Sequence, residues 1–202
     1  EHVPYWVGYS ILGATEGAAI LQPAIDRAHA AGIVVVAAMG NDGKGITVYP
    51  AGCNHVVAVA GTTRDDYYAY YSNYGNHVDL AAPGGETYRA ATNGIYSTMP
   101  TYMVTVNSSL GMVRNYDYWQ GTSMSAALVS GLSALLLSAN PALTPAQVEN
   151  LMASTAQDLG PTGWDQDYGW GRIDLARAVG QIVAPPPVGD LGVTAVSNAA
   201  PG

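Results

Sequence analysis

Gly121-Thr122-Ser123-Met124-Ser125-Ala126-Ala127-Leu128-Val129-Ser130-Gly131 runs on into Leu132-Ser133-Ala134-Leu135-Leu136-Leu137-Ser138-Ala139-Asn140. Residues 126–139 are Ala, Leu, Val, Ser or Gly and carry no charge, which predicts a helix buried on most of its sides rather than an amphipathic one. Ser125, Ser130, Gly131 and Ser133, which break the apolar run, favour a core helix over a membrane span. The glycine turn before it delivers Ser123 to the first turn of the helix. There, unpaired backbone N–H groups and the positive end of the helix dipole favour negative charge. On position alone Ser123 is either a helix N-cap or a nucleophile whose neighbouring N–H groups hold an oxyanion.

Upstream, the chain alternates between two kinds of segment. Residues 6–12 are β-prone and apolar, ending at Gly13. Residues 16–31 place Ile20, Leu21, Ala24, Ile25 and Ala28 at helical spacing, with Gly32 as the stop. Ile33-Val34-Val35-Val36-Ala37-Ala38 is an unbroken apolar run of the kind found in strands buried on both faces of a parallel sheet. The three together read as a βαβ unit. Val56-Val57-Ala58-Val59-Ala60 and Val78-Asp79-Leu80-Ala81-Ala82 predict two further strands, separated by a polar, tyrosine-rich stretch. Gly40-Asn41-Asp42-Gly43 then falls at the carboxyl end of a strand, the edge at which open α/β sheets place ligands. Between Glu86 and Gln120 the pattern is less regular, and Ile95-Tyr96-Ser97 and Met103-Val104-Thr105-Val106 predict short strands or a hairpin. Downstream, Thr144-Pro145 starts a helix with proline at its first position, and residues 173–182 form a last short one. The fold class is α/β, a three-layer α/β/α arrangement with a parallel sheet, incomplete at its N-terminus. Residues 1–182 form the partial domain, 183–189 with Pro185-Pro186-Pro187 a stiff linker, and 190–202 the start of a further module.

Composition narrows the function. Of 202 residues, 7 are Lys or Arg and 15 Asp or Glu, for a net charge of -8, which disfavours nucleic acid and anionic membranes as partners. One cysteine, Cys53, excludes an internal disulfide and a cysteine-based zinc site. The segment at Glu1-His2-Val3-Pro4 is not a signal peptide.

Gly121-Thr122-Ser123-Met124, followed by small residues, resembles the nucleophile motif of the subtilisin-like serine proteases, the subtilases. The resemblance extends over most of the chain, through Tyr71-Ser72-Asn73-Tyr74-Gly75, Asp79-Leu80-Ala81-Ala82-Pro83-Gly84 and Tyr168-Gly169-Trp170-Gly171-Arg172. It implies a secreted serine endopeptidase that cleaves polypeptides through an acyl-enzyme at Ser123 and needs no cofactor for its chemistry. It also implies that the Asn41 side-chain amide and the Ser123 N–H form the oxyanion hole, a demand for neutral donors on rigid supports. Leu12, Gly13 and Ala14 would form one wall of the S1 pocket, Ala38, Met39 and Gly40 the other, and Val48 its back. Both walls would be extended segments. Tyr49-Pro50 matches a turn with a cis peptide bond. Asp79 with carbonyls of residues 51–56 matches a weak calcium site, which suits a hard cation, although Asp79 also reads as an ordinary strand-end acid.

The departures are equally informative. A serine nucleophile needs a base and an orienting carboxylate, and the family places both upstream of the matching region. His2, His29, His55 and His77 all stand in contexts that do not match the family's histidine motif. The triad Asp and His are therefore expected on sequence upstream, as the partner half of the domain, and this chain alone is expected to be inactive. A non-catalytic subtilase-like scaffold or peptide-binding module is the alternative. Ile11 and Val48 replace smaller family residues, and Ala127 and Leu128 stand where the family has proline and, commonly, histidine.

Overall fold

The computed structural model describes residues 14–105, 111 and 113–182. The expected strand at 6–12, the wall residues Leu12 and Gly13, the linker and the final module lie outside them. Helix α1 (Ala14–Ala30) precedes strands β1 (Val35–Ala38), β2 (Val56–Thr62) and β3 (Leu80–Pro83). A 3-10 turn (Ala91–Asn93) leads into the hairpin strands β4 (Ile95–Thr98) and β5 (Tyr116–Trp119). Helices α2 (Thr122–Ala139), α3 (Pro145–Thr155) and α4 (Leu175–Ile182) complete the described chain.

Each α-helical boundary has a local cause. α1 stops where Gly32 takes φ 81°. The Gly32 and Ile33 amides there return to the His29 and Ala28 carbonyls at 2.9 and 3.0 Å, a Schellman closure that an L side chain would strain. α3 starts with a capping box. The Thr144 hydroxyl accepts from the Gln147 amide while the Gln147 side chain accepts from the Thr144 amide, and Pro145 takes the first helical position.

β1, β2 and β3 pair in that order and are all parallel, with Val35 opposite Val56 and Val59 opposite Leu80. Alternation along these strands divides the core in two. Val56, Ala58 and Ala60 face the layer that holds Ile25 of α1 together with Val48, Ala51 and Cys53. Val57 and Val59 face Val129, Leu132 and Leu136 of α2, with Val148, Met152 and Ala178 from α3 and α4 behind them. Helices therefore lie on both faces of a parallel sheet, and the α/β/α reading holds.

Three expectations change. α2 is buried along one stripe, Thr122, Ser125, Val129, Leu132, Ser133 and Leu136, while Leu128 and Leu135 are 37% and 49% exposed. The i, i+3/i+4 spacing of that stripe is one helix face against one sheet; among the described residues nothing covers the opposite flank. The helix is long and apolar enough to cross a membrane, yet its buried polar groups are satisfied inside the protein, Ser125 Oγ donating to the Ala82 carbonyl at 2.9 Å and Ser133 Oγ to that of Val129 at 2.9 Å. Residues 103–104 are not a strand. The partner of β4 is β5, antiparallel, with Tyr96 opposite Tyr118. Ala14, expected in extended chain, is helical; the run Ala-Thr-Glu-Gly-Ala-Ala is free of breakers strong enough to override alanine's helix preference. The peptide between Tyr49 and Pro50 is cis.

Candidate active site

The carboxyl ends of β1 and β3 meet the N-terminus of α2, and three short segments fix that junction. Gly121 is the N-cap residue, at φ 143° and ψ 156°, and supplies no side-chain cap. Its N–H donates to the Gly84 carbonyl at 3.0 Å and to the Tyr71 hydroxyl at 3.1 Å, which ties the turn to the chain leaving β3. Gly84 is required there by space, because a Cβ on it would lie 2.5 Å from the Tyr71 hydroxyl oxygen.

Thr122 is the first helical residue and is fully buried. Its backbone N–H and its hydroxyl both donate to Asn41 Oδ1 at 2.9 Å, and the hydroxyl accepts from the Gly40 amide at 3.1 Å. The Asn41 carbonyl oxygen is thus clamped to the helix, leaving its Nδ2 as the open donor. The loop that carries Asn41 is itself held by buried Asn73, whose Oδ1 accepts from the amides of Asp42 and Lys44 at 3.0 and 3.1 Å. Asn73 Nδ2 donates to Asp42 at 3.1 Å, and the Asn73 N–H donates to the Gly40 carbonyl at 3.0 Å.

Ser123 follows Thr122 and is exposed. It does not cap the helix; Gly121 holds that position. The N–H groups on either side are engaged, that of Thr122 by Asn41 and that of Met124 by the Gly121 carbonyl at 3.0 Å. The Ser123 N–H is left open among the described residues, beside its own hydroxyl and the Asn41 amide. Two neutral donors on rigid supports next to an exposed hydroxyl at a helix N-terminus are the parts of an oxyanion site.

A cavity of about 530 Å³ opens on Ser123. Ile95 and Trp119 from the inner face of the β4–β5 hairpin line it, with Val104, Met124, Ala127 and Leu128. The hairpin's outer face carries Tyr96, Tyr116 and Tyr118, packed ring on ring with centroids 4.7 to 5.7 Å apart.

The Subtilase family pattern, Peptidase_S8, matches residues 12–171. The chain belongs to the subtilase family. Its subtilase relatives include Subtilisin DY of Bacillus licheniformis, 35% identical over 83% of this chain and 54% of the relative. The Extracellular protease of Xanthomonas campestris is 37% identical over 86% of this chain and 28% of the relative. Among solved structures, a protease from Pseudoalteromonas arctica PAMC 21717 superimposes with a TM-score of 0.70 at 37% identity, covering 85% of this chain and 48% of that one. The chain thus spans about half or less of the length of these subtilases.

Within this subtilase framework the predicted residues separate. Ser123, Asn41 and Gly40 come together. The side chains of Met39 and Val48 are 0% and 3% exposed and sit in the core with Ala37 and Ala51; the strand alternation that places Ala37 in the core returns Met39 to it. Of the backbone of Ala38, Met39 and Gly40, the Met39 N–H donates to Val59, the Gly40 N–H to Thr122, and the Gly40 carbonyl accepts from Asn73. Ala14 stands in α1, and Leu12 and Gly13 lie outside the described residues. Thr122, Asn73 and Tyr71 hold the site together and were not singled out in the sequence. Their only signal was position, inside the two motifs that carry the resemblance.

No described histidine lines the Ser123 cavity. His29 and His55 stack with centroids 4.1 Å apart. His55 and His77 line a separate polar cavity of about 550 Å³ with Cys53, Asp79 and Glu149. Burial lowers the His77 pKa, and both its ring nitrogens are buried without partners. Asp79 accepts from the Ala58 amide at 2.7 Å, yet desolvation dominates and pushes its pKa up to about 6. Asp79 is half-buried on the wall of this polar cavity, beside the backbone of residues 51–56, and among the described residues no group of three or more His, Cys, Asp or Glu side chains gathers there to hold a metal ion. Burial also raises the Cys53 thiol.

Proposed function

We propose that this chain is the nucleophile-bearing half of a secreted serine endopeptidase domain, its general base and orienting carboxylate being supplied by upstream sequence. The observation that carries the reading is the exposed Ser123 hydroxyl flanked by two open neutral donors, its own N–H and the Asn41 amide, both fixed through Thr122. In the reaction, Ser123 Oγ attacks the peptide carbonyl and gives its proton to the base. The carbonyl oxygen becomes negative between the Ser123 N–H and Asn41 Nδ2, and collapse expels the amine with that proton. Water then hydrolyses the ester. Polypeptides are the substrates. The extracellular proteases among the relatives support secretion. A calcium ion at Asp79 and the carbonyls of residues 51–56 would stabilise the fold and take no part in the chemistry.

Ser123 labelling by a fluorophosphonate tests this directly. Rapid labelling is expected in the whole protein, none in its Ser123→Ala variant, and labelling slower by about a thousandfold or more in the 202-residue chain, where no described histidine lines the Ser123 cavity. An unlabelled whole protein would favour a peptide-binding scaffold. Fast labelling of the 202-residue chain would instead place the base within it.

A further inference from the structure

Tyr71 is 6% exposed and sits behind the nucleophile turn, outside the cavity that opens on Ser123. Two glycines make room for it. A Cβ on Gly61 of β2 would lie 3.3 Å from its ring, and one on Gly84 would lie 2.5 Å from its hydroxyl oxygen. That hydroxyl donates to the Gly85 carbonyl at 2.7 Å and accepts from the Gly121 N–H at 3.1 Å. The second bond shares an N–H that also reaches the Gly84 carbonyl at 3.0 Å. One phenol oxygen therefore joins the turn after β3 to the turn before α2, and Tyr70 packs edge-on against its ring at 5.3 Å.

We propose that Tyr71 is a positioning residue of the reaction assigned above, its hydroxyl fixing the peptide plane at Gly121 and, through it, the direction of the Ser123 N–H and hydroxyl. The inference rests on that functional reading and extends it to a residue that touches neither substrate nor reacting atoms. Gly121 has a backbone conformation that L side chains rarely adopt and brings no side chain of its own, so outside contacts must hold its orientation. Burial raises the hydroxyl's pKa above a free phenol's, which favours the protonated form that donates to Gly85. Removing the oxygen leaves the Gly85 carbonyl without that donor and the Gly121 N–H with one acceptor instead of two. The Gly121 N–H is then held by the Gly84 carbonyl alone, and its peptide plane can rock more widely. Because Thr122 follows directly, rocking spreads to the Asn41 clamp and to Ser123. A displacement of a fraction of an ångström at the donors lowers transition-state stabilisation while leaving peptide binding unchanged.

Tyr71→Phe keeps the ring and deletes the oxygen. In the whole protein kcat should fall by about tenfold, with KM changed by less than about twofold. In the 202-residue chain, amide hydrogen exchange reads the turn without any need for activity. Exchange at Gly121 should accelerate by about tenfold, while the Ala81 and Ile173 amides, bonded to Gly171 and Ala81, keep their rates. Unchanged exchange at Gly121 overturns the proposal, as does an unchanged kcat. A loss confined to melting temperature also overturns it, because that is all a purely structural hydroxyl would give. If the whole wild-type protein neither labels nor hydrolyses, the functional reading falls and the catalytic role of Tyr71 with it. The Gly121 exchange result then still decides whether the hydroxyl holds the turn.

Discussion

Asn41 serves two ends of one amide. Its oxygen is committed to Thr122, at 2.9 Å from both the backbone N–H and the hydroxyl, so only its nitrogen is available to a substrate. The two uses are separable by substitution. Asn41→Ala removes both and should lower kcat of the whole protein by about 10²–10³-fold, with KM little affected. Asn41→Asp keeps an oxygen for Thr122 but replaces the donor by a second acceptor. It should lose activity to the same degree while retaining a melting temperature nearer the wild type than Asn41→Ala does. An Asp variant with wild-type kcat would show that the amide nitrogen is not used. Asn41 and Ser123 could be singled out in the sequence because each lies in a short motif that resembles one of the subtilases'. Thr122, Asn73 and Tyr71 could not, because their work is done by contacts with residues 14 to 82 positions away. Spacing along a chain does not register such distances.

At the scale of elements, the strands and helices were readable where burial is symmetrical and capping is local. β2, whose Val/Ala run predicted a strand, is buried at every residue, whereas β1, expected to be buried on both faces, is only partly so. The start of α3 was equally plain, and its cap gives a prediction: Thr144→Ala should cost about 1 kcal/mol and lower the melting temperature by a few degrees. No change on calorimetry would mean that the Thr144–Gln147 box adds nothing to α3. The exposed flank of α2 was not legible. A run of Leu and Ala states that a helix seeks cover, but which sides receive it depends on how much of the surrounding layer is present. The pairing of β4 was also missed. Met103-Val104-Thr105-Val106 and Tyr116-Asp117-Tyr118-Trp119 have comparable β-propensity, and only the aromatic ladder across the hairpin decides between them.

At the scale of the whole molecule, charge is unevenly tolerated. Asp79 keeps its proton in the folded protein up to about pH 6, above the ordinary aspartate value near 3.9. Folding therefore takes up a proton here. The group is at its most favourable below pH 4, and that contribution disappears as pH rises through 6, costing about 3 kcal/mol at most by neutrality. Glu149, raised by the same burial, acts in the same direction. Asp79→Asn should consequently raise the melting temperature at pH 7 and lose that advantage below pH 4. Calcium provides the complementary measurement. It should stabilise the wild type at pH 7 and leave Asp79→Asn unmoved; equal stabilisation of both would remove Asp79 as a ligand.

The exposed flank of α2 also bears on how the chain behaves as a particle. Leu128 and Leu135, with Ile20 and Ile33 at 61% and 55% exposed, give it adhesive surface, and a net charge of -8 supplies the repulsion that keeps copies apart. Those two terms respond to different variables. Salt screens the repulsion over about 8 Å at physiological ionic strength without weakening the adhesion, and acid removes the charge altogether near the isoelectric point of 4.6. The acid range that favours the half-buried Asp79 and Glu149 carboxyls is therefore the range in which the chain is least dispersible: their contribution to folding and the charge that keeps copies apart pull toward opposite ends of the pH scale.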